Sequence, residues 1–226
     1  MKYLIFLIIS IFITGESSSN NFALPENKEI EFEIIRKNKN IGYHSIIFQE
    51  DNNILNVNID VNIAVKIGFL TIYKYKHKNQ EQWKNNQLYK ISTNSITNSK
   101  KKYLVKGEQK NKFFEFYGVD DLKKTSKNVI PISYWNKELI NKKEFLDTQK
   151  GILRKFKIKF LGIKNIEFNN NKIRTEKYEI EVLTNHITDE KPFPFLYLWY
   201  TEKGELIKLE FNSPEDKSVI KYNRIK

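Results

Sequence analysis

The chain has 226 residues with no cysteine, 8 Gly and 5 Pro, and 14% of its residues are aromatic. This composition excludes collagen-like and low-complexity chains, and the absence of cysteine excludes disulfide scaffolds and thiolate metal sites. The net charge is +12, and 35 of the 39 basic residues are Lys. Because proteins that read phosphates or bases rely on Arg, this charge predicts a lysine-rich solvated surface, with attraction to an anionic envelope surface as the alternative.

The first 19 residues predict a secretory signal peptide. Lys2 gives a positive start, residues 3–14 form an apolar run that Glu16 stops, and the small residues Gly15 and 17–19 follow it. The run is shorter than the ~20 residues that a transmembrane helix needs, and no later segment could span a bilayer. We therefore expect an exported, periplasmic protein of a bacterial envelope, with a retained N-terminal anchor as the alternative.

The remaining sequence alternates apolar and polar residues with a period of two, which is typical of strands with one buried face. The pattern is clearest in residues 54–65, where Leu55, Val57 and Ile59 share one face and Asn56 and Asn58 the other. It predicts about 13 strands joined by short turns. These strands are 29–35, 41–48, 54–65, 69–83, 88–95, 103–105, 113–117, 152–160, 163–168, 173–183, 195–201, 206–211 and 219–222.

Residues 120–149 interrupt the alternation and contain Pro131, Tyr134 and Trp135. We expect a loop with short helical turns that lies across the sheet. Since the twist of a wide sheet accumulates from strand to strand, the sheet must curve. The prediction is a mainly β protein in which residues 20–226 form a single domain. Its strongly curved, antiparallel, up-and-down sheet makes a half-barrel or barrel with a short loop or helical plug.

Residues 69–95 carry the first candidate site. A two-residue turn at Asn85-Asn86 fixes the register of the hairpin, so that Trp83 faces Leu88, Glu81 faces Lys90 and His77 faces Asn94. One face of the first strand then mixes aromatic and polar groups, as ligand-lined cavities do. The residues on that face are Tyr73, Tyr75, His77, Glu81 and Trp83. The alternative is an aromatic ladder across strands with an ordinary Glu–Lys pair.

The sequence contains no zinc-protease His pair, nucleophile elbow, phosphate loop or dinucleotide fingerprint, so it does not indicate an enzyme, a metal or a cofactor. The weak catalytic candidates are His77, Glu81, Tyr134 and Asp147, whereas His44 and His186 are isolated in sequence. In residues 73–78 aromatic and Lys side chains alternate between faces and cannot jointly clamp a nucleic acid, so we expect no such partner.

Trp199 is a further aromatic candidate. In the hairpin that turns at Lys203-Gly204, Trp199 opposes Lys208 and Leu198 opposes Leu209, which favours an exposed packing pair of Trp199 with the Lys208 stem. The candidate ligand-binding residues are Tyr73, Tyr75, Trp83, Trp135 and Trp199.

In their order and spacing these features resemble an uncharacterised bacterial exported family, domain of unknown function 6134. The residues that carry the resemblance are Ile41-Gly42-Tyr43-His44, 61–69 leading into Tyr73-Lys74-Tyr75, Glu81-x-Trp83, Thr93-Asn94, 133–136, 146–151, Leu161-Gly162, Leu198-Trp199-Tyr200, Gly204 and Leu209-Glu210-Phe211. The one departure is Asn86, where the family tends to have Gly, and Asn can adopt the same turn conformation.

The resemblance implies an exported protein and supplies no activity or catalytic residue. More distantly, the predicted sheet is similar to the half-barrels of periplasmic lipoprotein carriers, whose concave face holds acyl chains under a helical lid. We therefore expect a soluble periplasmic protein that binds a hydrophobic or amphipathic, lipid-like ligand in the concave face of its sheet. The alternatives are an enzyme acting on envelope glycans and a structural or assembly factor that uses an open sheet edge.

Overall fold

The computed structural model describes residues 22–226, so the predicted signal peptide lies outside the described residues. The described chain forms strands and one short 3-10 helix, Lys137–Asn141. The strands are β1 (Glu29–Arg36), β2 (Lys39–Asp51), β3 (Ile54–Ile67), β4 (Leu70–Lys84), β5 (Gln87–Thr97), β6 (Lys101–Lys110), β7 (Phe113–Tyr117), β8 (Lys123–Ser126), β9 (Glu144–Leu146), β10 (Leu153–Phe168), β11 (Asn171–Val182), β12 (Leu196–Thr201), β13 (Leu206–Asn212) and β14 (Val219–Arg224). Within residues 22–226, no helix has the length and apolar character needed to cross a membrane.

All the strands belong to one 14-stranded sheet in which every neighbouring pair is antiparallel. Strands β8 to β1 follow one another in reverse chain order, and β14 to β9 continue the sheet on the other side of β1. The first strand therefore pairs with the last, and β8 and β9 form the two edges of a sheet that stays open. The predicted mainly β, antiparallel fold is confirmed.

Contacts made by two consecutive residues show how strongly the sheet bends. Strands β4 and β12 are six strand spacings apart, which would be about 29 Å in a flat sheet. The carbonyl of Tyr134 nevertheless accepts a hydrogen bond from Tyr200 Oη of β12 at 2.6 Å. The indole of the next residue, Trp135, donates to Glu81 of β4 at 3.2 Å. The sheet must therefore wrap around the segment that contains both residues.

That segment fills the concave side, as predicted for a plug. Along β3 the inward side chains are buried aliphatics, whereas the outward ones are mostly Asn and Asp. The plug, residues 127–146, contributes its own buried side chains to the same core, among them Ile130, Trp135, Leu139 and Phe145. Burial of this large apolar surface is the main force that holds the plug against the sheet.

A close approach of two backbone segments joins the end of β7 to the loop that follows the plug. Val119 N–H donates to the carbonyl of Lys150 at 2.8 Å. A Cβ on Gly118 would lie only 2.1 Å from that carbonyl oxygen, and one on Gly151 would lie 2.6 Å from Gly118 Cα. Gly151 also has a φ of +68°, so both positions require Gly.

Three short or irregular features differ from the predicted strands. Residues 152–168 were expected to form two strands, but Leu153–Phe168 is one strand with an irregularity at Leu161-Gly162. Strands β8 and β9 have only 4 and 3 residues, too few for an alternation pattern to be visible.

Candidate functional site

The inner face of β4 carries most of the polar side chains in the concave side. Its inward positions are Tyr73, Tyr75, His77, Asn79, Glu81 and Trp83. The facing inward positions of β3 are all aliphatic. The alternation of β4 sends its lysines and glutamines outward. Its six consecutive inward residues therefore concentrate hydrogen-bonding groups in an otherwise apolar interior.

The register between β4 and β5 differs from the prediction. The turn residues Asn85 and Asn86 both have positive φ, and Trp83 pairs with Leu88 as expected. A bulge next to Trp83 then shifts the register, so that Glu81 pairs with Ile91, and His77 with Ser95 rather than Asn94. The predicted Glu81–Lys90 pair is wrong, because the extra residue of the bulge moves Lys90 opposite Gln82, on the outer face.

Glu81 is buried and bound by three hydrogen bonds. Asn79 Nδ2 donates to its Oε1 at 2.7 Å, and the indoles of Trp83 and Trp135 donate to its Oε2 at 2.9 and 3.2 Å. Burial raises the pKa of Glu81, and these donors act in the opposite direction. Since a carboxylate accepts hydrogen bonds, the amide of Asn79 must turn its NH₂ toward Glu81. Its Oδ1 therefore points away from Glu81.

Trp83 and Trp135 pack edge to face, with ring centroids 5.4 Å apart. Phe22 contacts both indoles at 5.4 and 5.2 Å, also edge to face. The two tryptophans, each 2% exposed, therefore belong to the hydrophobic core and position Glu81. Neither of them lines the cavity described next.

A cavity of about 120 Å³ lies between the inner faces of β2–β4 and the plug. His44, His77, Tyr75 and Asn79 line it from the sheet, together with Ile59, Val61 and Tyr222. Residues of the plug and the adjoining loops line the opposite side. These residues are Ile132, Ser133, Tyr134, Asp147, Thr148, Gln149 and Phe193.

The two histidines of the cavity belong to one row across the sheet, because His44 of β2 and His77 of β4 both pair with Val61 of β3. His77 Nδ1 is 2.7 Å from Ser95 Oγ, and its Nε2 is 3.4 Å from Thr148 Oγ1. Burial lowers the pKa of His77 to about 4 and that of His44, which also lies near His77, to about 3. Both imidazoles are therefore neutral at pH 7.

Three buried polar atoms on the cavity wall lack hydrogen-bond partners among the described residues. They are His44 Nε2, Asn79 Oδ1 and Ser133 Oγ. Ser133 is close enough to Glu81 to lower the pKa of Glu81, but the Ser133 hydroxyl is not oriented to form a hydrogen bond with any described residue. An unpaired buried polar atom costs about 1–3 kcal/mol, so three around one cavity indicate a place where a bound molecule or water completes them.

Asp147 forms part of the wall but has structural partners. Its Oδ2 accepts from Arg154 Nε at 2.8 Å, and its Oδ1 accepts from the N–H groups of Gln149 and Lys150. Arg154 is 1% exposed and also donates twice to Asp189, at 2.8 Å each. Although burial alone would raise the pKa of Asp189, hydrogen bonds from Arg154 and Lys150 hold it far below its usual range.

Tyr134 has a φ of +67°, which is unfavourable for a bulky side chain. The Tyr200 hydroxyl donates to its carbonyl at 2.6 Å, and its side chain lines the cavity. Its neighbours Ser133 and Trp135 bring the plug to the cavity and to Glu81, respectively. Strained backbone of this kind persists where surrounding contacts fix it, often at a functional site.

A larger but open groove of about 480 Å³ lies on the outer face of β2–β6. Two rows of outward residues form its floor, and most of them are polar and at least partly exposed, such as Asp60, Lys78 and Gln80. Water can satisfy such groups, so size alone does not make this groove the stronger candidate. Among the described residues, four buried side-chain polar atoms are unpaired; one, Asn94 Oδ1, belongs to the lining of this groove, whereas the other three belong to the lining of the inner cavity. The inner cavity, where the unpaired groups converge, is the candidate site.

The sequence profile of domain of unknown function DUF6134 matches residues 32–225. The chain belongs to the DUF6134 family. The match includes every inward residue of β4 and all of the plug, so the candidate site lies within the family's domain. A comparison with curated proteins gives no match.

The fold of this DUF6134 protein is similar to a solved structure, the beta-barrel-like protein of domain of unknown function DUF1849 from Brucella abortus. The TM-score is 0.60 over 88% of this chain and 95% of the other, with 7% sequence identity. At that identity the likeness concerns the fold alone. It supports the predicted barrel-like architecture.

In the DUF6134 chain, the structure brings together three of the four catalytic candidates, His77, Tyr134 and Asp147, while Glu81 lies behind Asn79. Of the ligand-binding candidates, only Tyr75 lines the cavity. Tyr73 packs at the margin of the core.

Trp199 lies on the outer face, between the ammonium groups of Lys177 and Lys208, at 4.6 and 5.0 Å from its ring centroid. Its predicted register with Lys208 is present, but at 5% exposure it is buried rather than exposed. Trp199 cannot contribute to a site in the concave side, because it alternates with the inward Leu198.

Sequence reasoning missed His44, Asn79, Ser133 and Tyr222. For His44 a signal existed, because Ile46 and Phe48 define the buried face of β2 and His44 shares their parity. For Ser133 and Tyr222 the sequence contains no such signal, since the residues that surround them in the structure are distant in sequence.

Proposed function

We propose that this DUF6134 protein is an exported binding protein whose inner cavity holds a small, uncharged, hydroxyl-bearing molecule. The observation that carries the proposal is the convergence of His44 Nε2, Asn79 Oδ1 and Ser133 Oγ on one cavity, each buried and unpaired among the described residues. Hydroxyl groups, which both donate and accept, can satisfy an imidazole nitrogen, an amide oxygen and a hydroxyl together.

The charge of the wall supports an uncharged ligand. Both histidines are neutral at pH 7, because burial lowers their pKa values to about 3 and about 4. The carboxylate of Asp147 is already paired with Arg154 at 2.8 Å. An ionic ligand would be desolvated without a free countercharge, which costs several kcal/mol. A neutral polar molecule avoids that cost.

The size of the cavity supports a small ligand rather than a lipid. Its volume of about 120 Å³ is the share of about four water molecules in the liquid, well below the ~300 Å³ at which typical ligand sites begin. The concave side is otherwise filled by the core and the plug. An acyl chain of the predicted lipid-like ligand would have to displace core side chains, so we favour a small polyol or one hydroxylated end of a larger molecule.

The geometry supports binding more than acid–base catalysis. A general base works best with a pKa near the operating pH, and histidines with pKa values of about 3 and about 4 are weak bases at pH 7. Asp147 is engaged by Arg154 and by two backbone N–H groups. The glycan-acting enzyme therefore remains the weaker alternative.

The edges of the sheet likewise give little support to an assembly factor that adds a strand. The edge strands β8 and β9 have only 4 and 3 residues, and β8 begins with Lys123 and Lys124. Short edges with lysines are the usual protection against strand addition.

Thermal shift and calorimetry with glycerol, inositol, glucose and palmitate test the proposed ligand class. We expect at least one of the polyols or sugars to raise the unfolding temperature and palmitate not to do so. Ser133→Ala removes an unpaired hydroxyl and should weaken binding about five- to tenfold while leaving the stability of the free protein nearly unchanged. Ser45→Ala, the same substitution on the outer face, is the control. Stabilisation by palmitate alone, or polyol binding that Ser133→Ala does not alter, would contradict the proposal.

N-terminal sequencing of the protein from fractionated cells tests export. We expect a soluble periplasmic chain that begins at Asn20, because the small residues 17–19 follow the apolar run. A membrane-bound chain that begins at Met1 would show that the run is kept as an anchor.

A further inference from the structure

The β3–β4 hairpin extends past the points at which both neighbouring strands stop pairing with it. At this end, the pairing of β3 with β2 stops at Ile63, and that of β4 with β5 stops at Tyr75. The two strands continue to pair with each other as far as Ile67 and Leu70. We call residues 65–73 the finger. From Ile63, the last residue of β3 that pairs with β2, to Ile67 at the end of β3, the strand runs about 13 Å at 3.3 Å per residue.

The tip of the finger is apolar and exposed. Phe69 is fully exposed, and Ile67 and Leu70 are each 68% exposed. Ile72, 45% exposed, continues the apolar surface down one strand. Isolated exposed apolar residues need no explanation, but four large ones at the end of a projecting hairpin form a patch of the kind that marks an interaction site.

Five exposed lysines lie in the finger or beside its base and form no ion pair among the described residues. They are Lys66, Lys74, Lys76, Lys100 and Lys102. The lysines belong to one end of the molecule, because Lys74 N–H bonds to Asn98 Oδ1 in the β5–β6 turn and Lys102 pairs with Ile96.

Most acidic residues at this end form ion pairs with basic residues other than these five lysines. Asp189 pairs with Lys150 and Arg154, Asp216 with Arg36 and Lys37, Glu190 with Lys101, and Glu215 with Lys191. The free charge around the finger is therefore positive.

We propose that the finger docks this protein reversibly on an anionic phospholipid bilayer, with Phe69 and its apolar neighbours in the interface and the free lysines at the lipid headgroups. An apolar tip alone or a basic patch alone gives weak membrane binding, and the combination of both gives useful affinity. Each lysine near an anionic surface contributes about 1 kcal/mol, or about fivefold in the partition coefficient. The finger lies close to the cavity, since Tyr75, two residues beyond the finger on β4, lines the cavity.

Vesicle co-sedimentation tests the proposal with the chain from Asn20, which contains every described residue and lacks the apolar N-terminal run that would bind lipid by itself. We expect binding to vesicles of phosphatidylglycerol and phosphatidylcholine in equal parts. Binding to pure phosphatidylcholine should be more than tenfold weaker, and 0.5 M NaCl should weaken binding to the anionic vesicles.

Two pairs of variants separate the apolar and the charged contributions. Phe69→Ser should lower the partition coefficient at least about tenfold, while Phe113→Ser, at the opposite end in β7, should not. Lys74→Gln with Lys100→Gln should lower it about 25-fold, while Lys84→Gln with Lys112→Gln, which removes the same charge at the opposite end, should have a much smaller effect.

A spectroscopic variant locates the contact. The native tryptophans are at most 5% exposed, so a Phe69→Trp variant adds the one accessible indole. We expect its emission to shift to the blue and its acrylamide quenching to fall when anionic vesicles are added. Equal binding to neutral and anionic vesicles, or unchanged quenching, would overturn the proposal. Concentration-dependent self-association that Phe69→Ser abolishes, without vesicle binding, would assign the finger to a second copy of the chain.

Discussion

The buried histidines of the cavity should make the stability of the protein depend on pH between 7.5 and 5. Burial lowers the pKa of His44 from 6.5 to about 3, so protons bind the unfolded chain more readily than the folded one throughout this range. At pH 5 an unfolded histidine with a pKa of 6.5 gains about 2 kcal/mol from protonation, whereas the folded one gains almost nothing. Each such histidine should therefore lower the free energy of unfolding by about 2 kcal/mol as the pH falls from 7.5 to 5.

His44→Phe isolates one of these contributions. His44 packs against the rings of Phe32 and Tyr222, at 5.6 and 5.8 Å between centroids, and its Nε2 has no hydrogen-bond partner in residues 22–226. A phenyl ring therefore fits the same surroundings. We expect the stability of the variant relative to wild type to increase by about 2 kcal/mol between pH 7.5 and 5.

Urea unfolding at both pH values, followed by the fluorescence of the buried tryptophans, measures this difference. The comparison with wild type is essential, because burial raises the pKa of Glu81 and so changes stability in the opposite direction. His77→Gln should show a similar relative gain, since the pKa of His77 is lowered to about 4. Parallel pH profiles of wild type and both variants would refute the reasoning, because the imidazoles would then titrate alike in the folded and unfolded chains.

Two further predictions concern the framework of the site. Arg154→Met leaves the carboxylates of Asp147 and Asp189 without their buried partner. It should lower the free energy of unfolding by about 3–5 kcal/mol and the unfolding temperature by about 6–20 °C. Arg174→Met, which removes an exposed ion pair, should lower the free energy of unfolding by less than about 1 kcal/mol. Gly151→Ala combines a positive φ with a Cβ 2.6 Å from Gly118 Cα, while Gly68→Ala has a positive φ and open space. In urea unfolding Gly68→Ala should cost about 1 kcal/mol and Gly151→Ala at least about 2 kcal/mol more, and equal costs would contradict the close approach.

Local patterns allowed much of the fold to be predicted. The strict alternation of β3 could only bury one face, and the inward set of β4 follows from parity once the strand is recognised. The pairing of Leu198 with Leu209 followed from the short turn at Gly204. These inferences depend on neighbours in sequence, where strand geometry leaves little choice.

The site was harder to predict, because it depends on contacts between distant segments. A single bulge next to Trp83 changed the partner of Glu81 from a lysine to an isoleucine, and no residue in the sequence marks a bulge there. Trp135 reaches Glu81 across 54 positions, only because the plug folds into the concave side. The sequence offers His44 and His77 as separate residues, and the common partner Val61 appears only when the register of three strands is known.

The pairing of β1 with β14 has a consequence for biosynthesis. Phe32 lies opposite Arg224, so the N-terminal strand lacks one of its two neighbours until nearly the whole polypeptide is available. A chain that leaves the ribosome or crosses a membrane from its N-terminus therefore cannot complete the sheet around β1 until β14 arrives. Loss of those residues should leave an exposed strand edge in the middle of the sheet, and deletion of residues 215–226 is expected to cause aggregation rather than a slightly shorter native protein.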